Sequence, residues 1–224
     1  MKFLIKKIYI IFFLLIIFLI KTEVFAKDGE TKYDKENISN YFTGIISASK
    51  DHNDKAFKHL KKAQSLKNRH SQFNIEFIRT LVLLEKFDKA VNYSKSVWSE
   101  DELFFEADLL LGLNFFLEKD YINAEKHFKR LNKISPYSFI FKDFLGNFLL
   151  SWVKAAESNL VASYKFHDAI PEGYKNLKQI QNSFLQCYFD SAKVKESFEI
   201  LINGEEFGYP RYNFFLANHL LFKN

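Results

Sequence analysis

Between Asn37 and Ser138, apolar residues recur at helical spacing and are interrupted by short polar turns. The pattern predicts helices over 38–50, 54–66, 72–84, 87–98, 102–118 and 121–134. Three local signals support these limits. Ser99-Glu100-Asp101-Glu102 has the Ser-x-x-Glu form of a capping box, Asp120 is placed to cap the helix that follows it, and Ser135-Pro136 pairs a cap with proline at a first helical position. Further on, the pattern predicts a longer helix from Ser138 to Glu157. Helices near 173–189 and 191–203 follow, and a last one opens at Tyr212 and runs to Phe222. The expected total is five helix pairs and one half pair.

Three segments superpose without gaps: 37–70, 71–104 and 105–138. Ala56, Ala90 and Ala124 fall at the same place in each, 34 residues apart. Twelve residues before them stand Gly44, Ile78 and Gly112, four after them Leu60, Ser94 and Phe128, and seven after them Ala63, Val97 and Leu131. Residues i, i+4 and i+7 share one helical face, so Ala124, Phe128 and Leu131 point the same way. A glycine facing an alanine lets two backbones approach closely, and the bulky residue fills the space beside them. One helix pair cannot bury its apolar faces alone, so stacked neighbours complete the core. Beyond Ser138 the register loosens: Ala162, Phe166 and Ala169 keep the spacing, but Ala162 lies 38 residues after Ala124.

This arrangement resembles the tetratricopeptide repeat, a 34-residue helix–turn–helix unit with small residues near positions 8, 20 and 27, an aromatic near 24 and proline near 32. Residues 105–138, with Gly112, Ala124, Phe128 and Pro136, match most fully. The middle copy departs at Ile78, Ser94 and Val97. The resemblance implies an all-α, right-handed superhelical solenoid: three repeats over 37–138, then degenerate helical pairs over 139–224 ending in a half repeat. It also implies a concave groove lined by the first helices. Carried onto this chain, the groove positions are Tyr41, Ile45, Ala48 and Ser49; Ile75, Arg79, Val82 and Leu83; and Leu109, Leu113, Phe116 and Leu117. Of these, Tyr41, Ile45, Ile75, Arg79, Val82, Leu109, Leu113 and Phe116 are the binding candidates. Any single apolar one among them, such as Leu109, Leu113 or Phe116, reads first as core, and the binding expectation rests on the surface as a whole. Gly44, Ala56, Leu60, Ala63, Ala90, Gly112, Ala124, Phe128 and Pro136 are the packing candidates. The Lys/Asn/Arg carboxylate clamp of the chaperone-tail binders has no counterpart at these positions.

The opening of the chain changes the charge argument. Lys2, Lys6 and Lys7 precede thirteen unbroken apolar residues, Ile8–Ile20, and then Val24-Phe25-Ala26. A basic start, an apolar centre and small residues at the last and third-last places describe a secretory signal peptide over 1–26. The alternative is an uncleaved membrane anchor, although a spanning helix needs about 20 apolar residues. Residues 1–26 carry four Lys and one Glu, so +3 of the chain's net +5 belongs to them and +2 to the remaining 198 residues. Nothing in that remainder calls for nucleic acid. Residues 27–36 are polar and aperiodic and read as a leader.

Composition narrows the class further. Seven Gly and three Pro in 224 residues fall well below the average of about 12%, which disfavours turn-rich β architectures. The lone Cys187 cannot form an internal disulfide. The six histidines show no metal-ligand spacing, and no phosphate loop or nucleophile elbow occurs, so neither metal nor cofactor is expected. His52 and His127 read as surface residues, and Cys187 as a buried spectator in an apolar setting. The expectation is a non-catalytic protein or peptide binder, exported to a bacterial periplasm. Its alternative is an envelope assembly factor held at the inner membrane by an uncleaved amino-terminal segment. Phe214, Phe215, Leu216, Leu220, Leu221 and Phe222 crowd the last helix, which makes 212–222 a candidate surface for self-association or for further repeats.

Overall fold

The computed structural model describes residues 35–67, 70–133, 143–203 and 210–223. Among them are eleven α-helices and no strand: α1 (Lys35–Ala48), α2 (Asn53–Lys62), α3 (Ser71–Leu83), α4 (Phe87–Val97), α5 (Phe105–Leu117), α6 (Tyr121–Leu131), α7 (Leu145–Ala156), α8 (Leu160–Asp168), α9 (Lys175–Tyr188), α10 (Val194–Asn203) and α11 (Pro210–Lys223). The described part of the chain is all-helical. The expected signal peptide 1–26, most of the expected leader, the Ser135-Pro136 cap and the glycines at 204 and 208 lie outside the described residues. Each helix packs on the next in sequence, and the first helices of successive pairs touch as well, α1 with α3, α3 with α5 and α7 with α9.

One turn closes every first helix. Asp51, Glu85, Lys119, Ser158 and Asp190 have φ between 54° and 63°, in the left-handed region. The next residue then donates its N–H to the carbonyl five places back: His52 to Ser47, Lys86 to Leu81, Asp120 to Phe115, Asn159 to Lys154 and Ser191 to Gln186, each at 2.9 Å. This is the six-to-one bond of a Schellman cap, here with no glycine at the left-handed position. Seven residues before each turn residue lies a buried position on the first helix: Gly44, Ile78, Gly112, Ser151 and Ser183. Five residues after the first four turns come Ala56, Ala90, Ala124 and Ser163, all fully buried.

The close approach differs from the sequence expectation. The glycines meet the bulky residue of the second helix rather than its alanine. A Cβ on Gly44 would lie 2.7 Å from Leu60 Cδ2, and one on Gly112 would overlap the Phe128 ring. Leu60 and Phe128 therefore fill the space the missing side chains leave, and each buried side chain of this size contributes about 1.5–3 kcal/mol. In the middle copy the bulk changes sides: Ile78 occupies the glycine's place and Ser94 the bulky one's, and both are buried. Two departures from the repeat are thus one volume-conserving exchange.

Four boundaries also differ. Lys35 and Glu36 belong to the first turn of α1 and not to a leader; a carboxylate there favours the positive end of the helix dipole. The capping box at Ser99–Glu102 does not form: α5 begins at Phe105 with no side-chain cap, and Ser99 Oγ accepts from the Asp101 N–H at 3.3 Å instead. The helix before the fourth turn is not longer, since α7 spans Leu145–Ala156 and the extra residues precede it. In the fourth pair the buried face is Ser163, His167 and Ile170 rather than Ala162, Phe166 and Ala169. Asn159 Oδ1 accepts from the Ala162 N–H at 3.0 Å, and that cap starts α8 one residue later than the alanine register implies. Asp120 caps α6 as expected, accepting from the Asn123 N–H at 3.2 Å.

Candidate functional site

The seam between α3 and α5 gathers half of the groove candidates. Arg79, Val82, Leu109 and Leu113 line one groove of about 440 Å³, together with Leu83 and Leu110, and its walls are almost wholly apolar. Arg79 spans the seam: its Nε and Nη2 donate to Glu106 Oε1 at 3.1 and 2.7 Å, and Glu76 on its own helix lies 3.6 Å from Nη1. The guanidinium is therefore an ion-pair member, and more than half of its side chain stays exposed. Ile75 lines a second, more polar cleft of about 720 Å³, which shares Phe105 and Glu106 with the first. Tyr41, Ile45 and Phe116 are half-buried and belong to the cores instead. The Tyr41 ring lies 4.8 Å from His70, Ile45 packs on the first cluster, and Phe116 lies 5.8 Å from Tyr121. The packing candidates Gly44, Ala56, Leu60, Ala63, Ala90, Gly112, Ala124 and Phe128 are all buried, and Pro136 lies outside the described residues.

A second feature was not anticipated from the sequence. Eleven residues before each of the first four turns stands a buried amide or carboxylate: Asn40, Asn74, Asp108 and Asn147. In the first three pairs its oxygen accepts from the residue nineteen places on. His59 Nδ1 donates to Asn40 at 2.9 Å, Tyr93 Oη to Asn74 at 2.6 Å and His127 Nδ1 to Asp108 at 2.9 Å. Burial pushes the Tyr93 hydroxyl pKa well above its ordinary value, so it remains a donor. In the fourth pair Asn147 Oδ1 accepts from Asn132 Nδ2 at 2.9 Å, tying α7 to the end of α6. Each rung joins the two helices of a pair or one pair to the next, and each satisfies a polar group that would otherwise cost about 1–3 kcal/mol.

The third rung is the strongest. Asp108 Oδ1 also accepts from Trp98 Nε1 at 2.8 Å and from Arg130 Nε at 2.9 Å. Arg130 then donates to the carbonyls of Glu100 at 2.7 Å, Ser99 at 3.0 Å and Glu102, and its guanidinium lies 5.0 Å from the Trp98 ring. Loop 98–104 is strapped to α6 in this way, which fixes where α5 starts. Burial drives the Asp108 carboxyl upward, but hydrogen bonds from His127, Trp98 and Arg130, with the guanidinium charge, outweigh it and leave the pKa lowered. His127 is accordingly a buried structural residue, not a surface one. His52 is exposed in its turn.

Reactive chemistry is sparse. Cys187 is half-buried, with Sγ 3.2 Å from His219 Nδ1, and burial followed by the Asp190 charge raises its thiol pKa. That setting disfavours the thiolate. Among the described residues no group of three or more His, Cys, Asp or Glu side chains is arranged to hold a metal, and no helix is long and apolar enough to cross a membrane. On α11, Tyr212 is buried and Phe215 lies 5.1 Å from Phe184, whereas Leu221 and Phe222 face outward. No protein-family model, curated protein or solved structure matches the chain.

Proposed function

We propose that the chain is a tetratricopeptide-type helical-repeat protein, a right-handed α-solenoid that binds a peptide along the α3–α5 seam and catalyses no reaction. The observation that carries this reading is the groove lined by Arg79, Val82, Leu109 and Leu113, four residues from two first helices, whose surface is mainly apolar. Apolar concavities with a few polar groups at the rim are the usual form of a recognition site. The recurring left-handed turn supports a stack of like units, and the strapped 98–104 loop supports a groove held ready before its ligand arrives. The basic and then apolar opening of the chain supports an exported, periplasmic setting.

The test is a display selection of short peptides on the full chain, counter-selected on a variant carrying Arg79→Glu and Leu113→Asp. The expected result is a set of peptides that bind the wild type and lose at least about tenfold in affinity on the variant, roughly 1.4 kcal/mol. Peptides that bind both proteins equally would remove the groove from the function.

A further inference from the structure

Charge is segregated along the chain. Residues 35–98 hold twelve Lys and Arg against six Asp and Glu, a net +6, whereas residues 99–133 hold five against eight, a net −3. The excess gathers on the second helices of the first two pairs. α2 and α4 carry Lys55, Lys58, Lys61, Lys62, Lys89 and Lys95 against only Asp54 and Asp88, and all six lysines are exposed.

A groove of about 430 Å³ lies within this basic surface. Its apolar part is aromatic: Phe57 stacks on Phe77 with centroids 6.0 Å apart, and Phe77 meets Tyr93 edge-on at 4.7 Å. Lys61 from α2 and Lys89 from α4 line it, together with the amides of Gln64 and Asn92, and no carboxylate does. Among the described residues neither lysine forms an ion pair. The groove uses Phe77 and Leu81 of α3, where the α3–α5 groove uses Arg79 and Val82, so the two are separate sites.

The lining selects among anionic partners. A recess accepts a protruding side chain, whereas binding to a bilayer needs apolar side chains that stand out from the protein. Lys86 and Lys67 already hold their ammonium groups 5.3 and 5.4 Å from the Phe57 and Tyr93 centroids, so a stacked nucleobase would have to displace them. Side-chain amides pair with backbone N–H and C=O groups, which a peptide supplies. We infer that this groove is a second docking site, for an acidic segment of a partner protein in which one phenylalanine- or leucine-sized side chain is flanked by Asp or Glu. The apolar side chain enters among the rings, and the flanking carboxylates reach Lys61 and Lys89. The remaining lysines of α2 steer the approach and disfavour basic segments.

Fluorescence anisotropy on the full chain tests this with three labelled peptides of one length. One has phenylalanine between two pairs of glutamates, one replaces the glutamates by glutamines, and one replaces the phenylalanine by glycine. The first is expected to bind at least about tenfold more tightly than either of the others. Lys61→Gln with Lys89→Gln should weaken it at least about fivefold, and Lys55→Gln with Lys58→Gln, an equal loss of charge outside the groove, less than about twofold. Circular dichroism unchanged in both variants shows that the fold is intact. Equal losses from the two variants, or equal binding of the phenylalanine and glycine peptides, overturns the groove as the site. Tighter binding of anionic phospholipid vesicles or single-stranded DNA, lost on Lys61→Gln with Lys89→Gln, overturns the choice of a protein partner. Arg79→Glu with Leu113→Asp should leave the acidic peptide's affinity unchanged; its loss there would overturn the assignment to a separate site.

Discussion

From Asp51 to Lys119 the left-handed residue that closes a first helix returns every 34 positions; after Lys119 the closing residue comes at 39 and then at 32, with a further left-handed residue, Asp143, ahead of α7. The two regions keep the same cap, with its 2.9 Å bond to the carbonyl five places back, and the same buried position seven residues before it. They differ in what fills the contact. In the first region a glycine meets Leu60 or Phe128. In the second the close pairs are serines: Ser151 Oγ lies 3.4 Å from Ser163 Oγ, and Ser183 Oγ donates to the Ser197 carbonyl at 3.0 Å. Helix pairing thus goes with the turn and, in every pair but the one with Ile78, with a small first-helix residue, while the connection between pairs absorbs insertions and deletions. A constant interval is a consequence of constant connections. It is not what holds a pair together.

The ladder gives the largest expected effect. Asp108→Ala leaves Arg130 as a buried charge without its carboxylate and strands Trp98 and His127, so a loss of about 3–5 kcal/mol is expected in urea unfolding. Asn74→Ala removes a neutral rung and should cost about 1–3 kcal/mol. Equal losses from the two would show that the charged rung is no stronger than its neighbours. The sign with pH follows from the lowered pKa of Asp108. Its contribution is complete above the ordinary aspartate value of about 3.9 and is lost as pH falls through the lower folded value. Acid titration of Asp108→Asn should therefore show a shallower loss of stability below about pH 4 than the wild type shows.

Next in size is the glycine contact. Gly112→Ala drives a methyl into the fully buried Phe128 ring, and about 1–3 kcal/mol of overpacking is expected, or several degrees in Tm. Phe128→Leu in the same chain should return part of that loss. Ser151→Ala, at the same place before the fourth turn, adds no bulk and removes only a long hydroxyl contact, so a change below about 1 kcal/mol is expected. A Ser151→Ala loss as large as that of Gly112→Ala would break the distinction between the two kinds of contact.

The all-helical class was legible because apolar spacing and small residues are local signals, and the turn at Asp120 was legible because a cap is a local bond. The ladder was not read, although Asn40, Asn74 and Asp108, and His59, Tyr93 and His127, also recur at 34. Polar residues on a helix look like surface until their partners nineteen places away are known. Ala162 misled for a related reason: an alanine marks a tolerated contact, while the Asn159 cap decides which residue turns inward. Of the first-helix positions, Arg79, Val82, Leu109 and Leu113 share one cleft, while Tyr41, Ile45 and Phe116 pack against the cores. Whether an apolar first-helix residue such as Ile45 or Leu113 meets a core or a channel depends on the tilt of the neighbouring helix, which no spacing encodes. The straps from Arg130 to the carbonyls of loop 98–104 left no trace in residue type at all.

The smallest effect is the sharpest test of the shared turn. A non-glycine residue in the left-handed region costs about 1–2 kcal/mol, and glycine gives back part of that through its greater freedom in the unfolded chain. Lys119→Gly in the first region and Ser158→Gly in the second should each stabilise the chain by about 0.5–1 kcal/mol, because both sit at φ near 60° and both precede the same cap bond. Asp51→Gly should gain less, since aspartate tolerates this conformation better than lysine or serine. The informative quantity is the difference between Lys119→Gly and Ser158→Gly in chemical unfolding. Gains that agree within about 0.3 kcal/mol mean that one turn serves both regions despite the change from 34 to 39 residues. A gain at Lys119 with a loss at Ser158 would mean that the fourth pair is closed by other forces, and the common device would be confined to the first three pairs.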